Sequence, residues 1–315
     1  MIRVAFTDFI FENREAIRLD GCEFGIHGPL RAADEIVAAA ANADVLCMRD
    51  QFGRVTREVL ERLPDLKLIV TRSAGYDHID MPEAARRGIP VCNVPDYGAH
   101  MIAELAFGLL LAVARNIARG DERYRRERRF SDEGLRGIEL RGKTLGVIGT
   151  GRIGLHSIRI ANGFGMKVVA HDVVENDSAA QELGFEYAPL ESVLAASDAV
   201  TLHVRLNETT RHLVNTDWLA QMKRGAILVN TSRGAVVDTP ALIGALRSGH
   251  LGGAGLDVLE DEREKYHDFS GLNVVVTPHL GWYTDGAVER ILEITLANIA
   301  AFMRGELINS CYAKS

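Results

Sequence analysis

Cysteine is scarce in this chain and forms no paired motif. The four cysteines, Cys22, Cys47, Cys92 and Cys311, are scattered, and no Cys-x-x-Cys sequence occurs. This spacing indicates neither a disulfide framework nor a zinc site, and we expect no bound metal. Unpaired cysteines fit a reducing compartment, so the cytoplasm is the expected location.

The chain also lacks a hydrophobic run long enough to cross a bilayer. Its longest apolar run, Leu105 to Ala114, is too short for a transmembrane span and is expected to form a buried helix. The first residues, Met1 to Asp8, read as an alternating strand rather than as the charged and apolar regions of a secretory signal. We therefore expect no membrane partner.

An excess of positive charge is absent as well. The formal net charge is −7 at pH 7, which argues against nucleic acid or an anionic membrane as the main partner. A composition of 47% hydrophobic and 25% charged residues is typical of globular proteins, and a length of 315 residues suggests about two domains.

A glycine-rich motif lies near the middle of the chain rather than at its start. Residues 144–154 read TLGVIGTGRIG and are followed by KVVAHD at 167–172. The order is strand, glycine turn, helix and second strand ending in an acid. Gly149, Gly151 and Gly154 suit a tight turn, close approach to a pyrophosphate and close helix packing, with the helix N-terminus facing the phosphates. Asp172 lies at the distance along the chain from the glycines where a carboxylate binds the ribose hydroxyls of a dinucleotide. The motif therefore predicts dinucleotide binding.

The segment after Asp172 favours NAD over NADP. It continues Val-Val-Glu-Asn-Asp, with two further acids and no Lys or Arg. A 2′-phosphate would need a cation at this place. Because a nucleotide domain normally begins with the glycine motif, the residues upstream of it are expected to form a separate domain.

Short apolar strands alternate with helical stretches on both sides of the motif, which predicts an α/β fold with parallel sheets. Strands are predicted at 4–6, 44–48, 68–70, 91, 199–203, 226–230, 253–257 and 274–277, and helices at 33–41, 101–119 and 286–303. The stretch 123–129 contains five arginines. It could bind an anion, but a solvated or subunit-contacting helix face is favoured.

The second half of the chain contains the side-chain types that a nicotinamide enzyme needs. Arg233 follows a predicted strand, where a guanidinium could bind a carboxylate through two parallel hydrogen bonds; a salt-bridged surface residue is the alternative. His279 follows another strand and carries the side chain whose pKa lies nearest neutral pH; a packing role is the alternative. Glu260 and Glu262 are the acids that could orient it, and position alone does not choose between them.

Together these segments resemble the D-isomer-specific 2-hydroxyacid dehydrogenase family over nearly the whole chain. The matching blocks are GTGRIG at 149–154, NTSRGAVVD at 230–238, GLDVLEDE at 255–262 and TPHL at 277–280. The resemblance implies two doubly wound parallel-sheet domains: a Rossmann NAD-binding domain at 100–284, inserted into a flavodoxin-like substrate domain at 1–99 and 285–315. It also implies a homodimer built on the helix at 101–119.

The resemblance also implies a role for individual residues. The implied catalytic residues are Arg233, Glu262 and His279, with Glu262 preferred because the family pattern places a Glu five residues after Asp257. The implied cofactor-binding residues are Gly149, Gly151, Arg152, Ile153, Gly154, Asp172, His203, Thr231 and Asp257, the last at the nicotinamide carboxamide. The implied substrate-binding residues are Ala74, Gly75, Tyr97 and Trp282, the first two through backbone amides that bind the substrate carboxylate.

Aromatic residues after His279 favour the D-lactate dehydrogenase branch of the family. Trp282 and Tyr283 stand where the phosphoglycerate and hydroxypyruvate branches tend to have small residues, and Tyr97 matches another pocket aromatic of the lactate branch. Packing at a domain interface is the alternative for Trp282. The predicted activity is NAD-dependent reduction of a small 2-keto acid to a D-2-hydroxy acid, D-lactate-like. The alternatives are glyoxylate, hydroxypyruvate or phosphoglycerate specificity.

Two positions depart from the family pattern. Arg205 stands where Pro is common, near the expected cofactor cleft, where it could alter substrate choice or contact a phosphate. Gly98-Ala-His100 replaces the Ser-Pro-Asn of many D-lactate enzymes.

Two other groups of proteins, with different functions, share much of this pattern. An NAD-sensing corepressor of the C-terminal-binding-protein type can keep the same three catalytic residues. Such proteins usually carry extensions for partners, whereas this chain ends at Ser315, soon after the last predicted helix, which favours an enzyme. A formate- or phosphite-oxidising relative is disfavoured, because formate enzymes have Gln where Glu262 stands and because of the aromatic pair after His279.

Overall fold

The computed structural model describes residues 1–9, 14–261 and 266–312. The chain divides into two compact units, one formed by Met1–Tyr97 with Tyr283–Ser315 and the other by Gly98–Trp282. The two ends of the chain therefore form one unit, and the middle forms the other. The boundaries predicted from the sequence, after residues 99 and 284, lie two residues from the observed ones.

The unit formed by the chain ends contains a five-stranded parallel sheet. Its strands lie in the order β2-β1-β3-β4-β5, which is the order of flavodoxin-like folds. The strands are β1 Ile2–Phe6, β2 Cys22–Ile26, β3 Val45–Met48, β4 Leu68–Thr71 and β5 Val91–Cys92. The helices are a 3-10 turn at Arg14–Ala16, α1 Ala33–Ala40, α2 Arg57–Glu61, α3 Met81–Arg86 and α11 Asp285–Met303.

Helix α11 buries one face against this sheet. The buried positions recur at the spacing of one helical face: Ala287, Ile291, Leu292, Thr295, Asn298 and Ile299. Leu292 and Ile299 pack in one cluster with Val4 and Val70 of the strands. The helix begins after Thr284, whose hydroxyl accepts a hydrogen bond from the Ala287 amide. The last helix of the chain thus contributes to the same hydrophobic core as the first strand.

The middle unit contains a seven-stranded parallel sheet in the order β12-β11-β10-β9-β6-β7-β8. Counted from β6, this is the Rossmann order with a seventh strand, and the order reverses between β6 and β9. The strands are β6 Thr144–Ile148, β7 Lys167–His171, β8 Glu186–Tyr187, β9 Ala199–Leu202, β10 Ile227–Asn230, β11 Gly253–Leu256 and β12 Val274–Val276. The helices are α4 Ala99–Ala114, α5 Ile117–Glu127, α6 Arg152–Gly163, α7 Asp177–Leu183, α8 Leu190–Ala196, α9 Thr216–Ala220, a 3-10 turn at Gly234–Val236 and α10 Thr239–Arg247.

These sheets confirm the predicted α/β class with two parallel sheets. Two strands were not predicted: β2 is a half-exposed strand at the sheet edge, and β8 has only two residues. The predicted single helix over 101–119 is wrong, because α4 ends at Ala114 and α5 begins at Ile117. Between them Asn116 has a φ of 52°, a left-handed conformation that breaks an α-helix and that Asn tolerates well.

The apolar run at 105–114 forms the buried part of α4, as predicted, with Phe107, Leu110 and Val113 in the core of the middle unit. Among the described residues, no single helix is long and apolar enough to span a membrane. Helices α4 and α5 meet these criteria only when they are taken together, and they are bent by 61° relative to each other.

The arginines of α5 pair along the helix rather than forming an open cationic patch. Arg125 contacts Asp121 at 2.7 Å and Arg126 contacts Glu122 at 3.0 Å, both one turn apart, and the helix has no buried residue. These pairs agree with the preference from the sequence for a solvated or subunit-contacting helix face over an anion-binding patch.

Candidate active site

The glycine motif forms a turn between β6 and α6 that only glycine can build. Gly149 has a φ of 94°, and a Cβ there would lie 2.6 Å from the His203 carbonyl oxygen. A Cβ at Gly154 would lie 2.1 Å from the Gly149 oxygen, so the first turn of α6 packs directly on the strand. Gly151 is the N-cap of α6 and supplies no side-chain cap, which leaves the positive end of the helix to the open side of the turn.

Asp172 follows β7 and is held firmly beside this turn. Its Oδ2 accepts hydrogen bonds from the Thr150 amide at 2.6 Å and the Thr150 hydroxyl at 3.0 Å. The Tyr187 hydroxyl lies 2.8 Å from the Thr150 hydroxyl and accepts from the Asn176 amide at 3.0 Å. Sequence reasoning missed Thr150 and Tyr187, although a hydroxyl within the glycine motif was a signal for the first.

The charge of Asp172 is stabilised by this network. Burial opposes ionisation, but the hydrogen bonds from Thr150 and Val174 outweigh it and hold the pKa of the carboxyl below its usual value. A fixed negative charge at the end of the second strand suits a ribose diol and disfavours a 2′-phosphate. The geometry therefore agrees with NAD.

His203 follows β9 and links that strand to α6. Its Nε2 lies 2.9 Å from the Ser157 hydroxyl and 3.1 Å from the Thr201 hydroxyl. Burial lowers the pKa of the imidazole to about 3, so the ring is neutral at physiological pH. Its Nδ1 is buried and has no hydrogen-bond partner among the described residues.

The buried imidazole predicts a loss of stability in acid. The unfolded chain protonates His203 near the ordinary pKa of 6.5, whereas the folded chain does so only near 3, so stability falls as the pH drops below 6.5. We expect about 1–2 kcal/mol of this loss between pH 7 and pH 5 to come from His203. In urea denaturation, His203→Gln should lose less stability over this interval than the wild type. Equal losses in the two proteins would contradict the assignment.

The turn after β10 is shaped by Asn230 and presents Arg233. The Asn230 side-chain Nδ2 donates to the Arg233 carbonyl at 2.9 Å, and its Oδ1 accepts from the Ser232 backbone amide at 3.0 Å and the Ser232 hydroxyl at 2.8 Å. Asn230 is fully buried, so the turn is fixed to the sheet. Thr231 lies in the same turn, and its buried hydroxyl has no hydrogen-bond partner within the described part of the chain. That hydroxyl is available to a bound ligand.

Gly234 brings this turn against the segment that follows β11. A Cβ on Gly234 would lie 2.0 Å from the Leu259 carbonyl, so the two backbones touch. The next residue, Glu260, lies 2.6 Å from His212 and 3.5 Å from Arg211. Glu260, the alternative acid from the sequence, is thus already paired. Glu262 lies outside the described residues.

Asp257 holds the segment that carries His279. Its Oδ1 accepts from the Thr277 hydroxyl at 2.6 Å and the Leu280 amide at 2.7 Å, and its Oδ2 accepts from the Gly281 amide at 2.8 Å. The His279 amide donates to the Asp257 carbonyl at 2.9 Å. His279 adopts a φ of 58°, a left-handed conformation that is uncommon outside glycine and that Asn, Asp and His adopt more often than other residues. The buried aspartate therefore fixes the backbone that carries the histidine.

Two aromatic residues predicted for the substrate pocket lie where the chain passes from one unit to the other. Tyr97 ends the first stretch of one unit, and its carbonyl accepts a hydrogen bond from Arg290 at 2.6 Å. Trp282 ends the middle unit. Both side chains are buried, at 8% and 9% exposure, whereas Tyr283 is 42% exposed. Arg205, the departure from the family pattern, lies exposed on the loop after β9.

Ala74 and Gly75 lie in the other unit, on a loop that begins at a buried ion cluster. Arg72 donates to Asp8 at 2.7 Å, and Arg49 lies 3.0 Å from the second oxygen of that carboxylate. All three side chains are at most 2% exposed, and the Arg72 guanidinium lies 4.9 Å from the centre of the Phe6 ring. The ion pair with Asp8 therefore holds Arg72, the first residue of the loop after β4, in place.

The predicted residues of the middle unit share one edge of the sheet. The glycine turn, Asp172, His203, the turn of Thr231 and Arg233, Asp257 and His279 all follow the carboxyl ends of strands, where parallel α/β sheets bind ligands. Arg152 and Ile153 form the first turn of α6 at this edge. This edge fits a dinucleotide, because it offers a glycine cradle, a helix N-terminus and the buried Thr231 hydroxyl. Oδ2 of Asp257 accepts one hydrogen bond and can accept a second, as a carboxamide would supply.

Comparison with known proteins shows which proteins this chain is similar to. Residues 107–281 match the family model of the D-isomer specific 2-hydroxyacid dehydrogenase, NAD binding domain. The glyoxylate reductase of Pyrococcus furiosus is 44% identical over 262 residues, which cover 81% of this chain and 78% of that protein. An aromatic 2-oxoacid reductase of Clostridium sporogenes is 41% identical over 273 residues, 81% of each chain.

A solved structure extends the likeness to the complete fold. D-lactate dehydrogenase from Aquifex aeolicus, complexed with NAD and lactic acid, matches with a TM-score of 0.87 and 32% identity, covering 99% of this chain and 100% of that one. The names of these relatives include glyoxylate, aromatic 2-oxo acids and lactate. They support the glyoxylate alternative better than the D-lactate specificity expected from the aromatic pair.

Proposed function

Since the chain belongs to the D-isomer-specific 2-hydroxyacid dehydrogenase family and is an NAD-dependent oxidoreductase, we propose that it reduces a small 2-oxo acid of the glyoxylate type to the 2-hydroxy acid. The observation that carries the proposal is the shared edge of the seven-stranded sheet. There the turn of Arg233 and the segment of His279 follow strands of the sheet that also forms the glycine cradle.

Arg233 is proposed to bind the substrate carboxylate and polarise the adjacent carbonyl. A guanidinium can donate two parallel hydrogen bonds and stays charged at all working pH values. Its turn is held by buried Asn230, so the side chain starts from a fixed backbone. The amides of Ala74 and Gly75 are proposed as further donors to the carboxylate.

His279 is proposed to donate the proton. NADH held at the glycine cradle and Asp172 would supply a hydride for C2 of the 2-oxo acid, so that negative charge would develop on the carbonyl oxygen. His279 gives its proton to that oxygen, which yields the hydroxyl, and in the reverse direction neutral His279 accepts it. Glu262 is proposed to orient the imidazole, as predicted from the sequence. Asp257 fixes the backbone of His279 through the segment at 277–281.

D-lactate formation from pyruvate is the second candidate. The aromatic residues Trp282 and Tyr97 favour it, and the Aquifex aeolicus structure holds lactic acid. Aromatic 2-oxo acids form a third class, named in the Clostridium sporogenes relatives. The homodimer and the cytoplasmic location expected from the sequence remain predictions.

A substrate panel tests the proposal. We expect NADH to be oxidised with glyoxylate, hydroxypyruvate, pyruvate and phenylpyruvate in different degrees, with the highest kcat/KM for glyoxylate. NADPH should support a much lower kcat/KM because of Asp172. A highest kcat/KM with pyruvate or phenylpyruvate would assign the enzyme to the second or third candidate. No oxidation above background with any of the four acids would refute the proposal.

A further inference from the structure

Two peptide carbonyls of the loop after β4, which contains Ala74 and Gly75, are held by the segment that follows β5. The Ser73 carbonyl accepts from the Val94 amide at 3.0 Å, and the Ala74 carbonyl accepts from the Asn93 side chain at 2.8 Å. In a trans peptide the carbonyl and the next N–H point in opposite directions. The amides of Ala74 and Gly75 therefore both point away from the segment at 93–94. Neither donates a hydrogen bond within the described ranges of the chain.

Two successive amides on one side form a small anion-binding nest. The next carbonyl, that of Gly75, accepts from the Ser73 hydroxyl at 2.7 Å and the Thr71 hydroxyl at 3.4 Å, which fixes the far end of the loop. The orientation of the nest thus depends on where Asn93 is held.

Asn93 is held by two asparagines from the returning end of the chain. The Asn93 amide donates to the Asn309 carbonyl at 3.0 Å. The Asn309 side chain donates to Oδ1 of Asn298 at 2.9 Å, and the Asn298 side chain donates to the Asn93 carbonyl at 2.9 Å. These three hydrogen bonds close a ring of asparagines, which we call the asparagine ring.

The asparagine ring replaces apolar packing with directed hydrogen bonds. Asn298 is 1% exposed on the buried face of α11, where an apolar side chain would pack without desolvating an amide. Buried polar groups with all partners in place specify one geometry. Asn309 adopts a φ of 53°, which Asn tolerates and which directs its side chain back into the ring.

We propose that Asn298 and Asn309 are positioning residues for the carboxylate of the 2-oxo acid. They fix the backbone of Asn93, and Asn93 aims the Gly75 amide at the substrate. This inference rests on the proposed function and adds to it residues more than 200 positions away in sequence from the amides they orient. Without the ring, the peptide between Ala74 and Gly75 can rotate and withdraw one donor.

Two variants test the asparagine ring without removing a contact to substrate. Asn309→Gly keeps the left-handed backbone and its carbonyl but deletes the side-chain donor. Asn298→Asp keeps the shape but replaces the donor to Asn93 by an acceptor. We expect each to raise KM for glyoxylate about tenfold, the effect of losing one hydrogen bond to a charged group. The kcat should stay within about twofold, because binding of substrate and transition state is weakened equally.

The Kd of NADH, measured by fluorescence titration, should be unchanged in both variants. The inhibition constant of oxamate, an unreactive carboxylate analogue, should rise in parallel with KM. Asn42→Gly, the same change at an exposed turn of the same unit, is the matched control and should leave all four quantities as in the wild type.

The outcomes separate the two proposals. An unchanged KM and oxamate constant in Asn309→Gly would overturn the positioning role. The positioning role would also be overturned if kcat, NADH affinity and melting temperature all fell in the two variants while KM rose, because a merely structural ring gives that result. If the wild type reduces none of the 2-oxo acids and does not bind oxamate, the proposed function fails and this inference fails with it.

Discussion

Replacing His279 by Asn is expected to lower kcat for 2-oxo acid reduction by about 10²- to 10⁴-fold, the usual contribution of a general acid. Asn suits the φ of 58° at this position, so the backbone held by Asp257 should persist. Asn cannot donate a proton near neutral pH. The loss should therefore appear in kcat, whereas the Kd of NADH, measured by fluorescence titration, should stay within about twofold of the wild type.

His250→Asn is the matched control for this variant. His250 lies just before β11, at the amino end of the strands, and its Nε2 contacts the Leu219 carbonyl at 2.9 Å. Ligands in parallel α/β sheets bind at the opposite edge, so this variant should keep full activity. Full activity in His279→Asn, or a loss no larger than in the control, would remove His279 from the chemistry.

The second large effect is expected for Arg233→Lys. An ammonium keeps the charge but cannot reproduce two parallel hydrogen bonds to a carboxylate. We expect kcat/KM for glyoxylate to fall about 10- to 100-fold, mainly through a higher KM. Because Asn230 bonds the backbone carbonyl of Arg233, the turn itself should not change. Steady-state kinetics at saturating NADH measure the effect.

Arg247→Lys provides the comparison for the second variant. Arg247 ends α10 as an exposed residue, before the amino end of β11. It should show unchanged kinetics. An unchanged KM in Arg233→Lys would show that Arg233 does not bind the carboxylate, and the structural alternative of a salt-bridged surface arginine would then stand.

Much of the fold follows from local patterns in the sequence. Apolar runs such as those of β3 and β10 mark strands buried on both faces, and their alternation with helices leaves a parallel sheet as the consistent arrangement. Gly149 and Gly154 could be identified from the glycine motif, and the structure supplies the physical reason, because a Cβ at either would collide with backbone. The break at Asn116 was not predictable from the same periodicity, because the residues on both sides of it favour a helix.

Contacts between segments that are distant along the chain could not be predicted from the sequence. Thr150 bonds Asp172, 22 residues away, and Asp257 bonds the Gly281 amide, 24 residues away. Such pairs arise from the order of strands in the sheet, and no local motif records them. The chemistry of Arg233 and His279 could be proposed from strand ends. The residues that hold these two in place, Asn230 and Asp257, became evident only with the structure.

The sequence pattern and the relatives differ on substrate preference. Trp282 and Tyr97 favoured a D-lactate enzyme, whereas the glyoxylate reductase of Pyrococcus furiosus is 44% identical. An aromatic residue reports bulk and apolar surface, but specificity follows from the volume that several side chains leave free. Residue type alone therefore does not fix which 2-oxo acid is preferred.

Transfer of the hydride can be followed directly with NADH deuterated at the transferable C4 position. Incubation with the wild-type protein and glyoxylate should place one deuterium on C2 of the hydroxy acid, detected by mass spectrometry, and His279→Asn should lower the rate of labelling by the same factor as kcat. Oxidation of NADH that leaves C2 unlabelled, or an absence of labelled product with glyoxylate, hydroxypyruvate, pyruvate and phenylpyruvate alike, would contradict the assignment as a 2-oxo acid reductase.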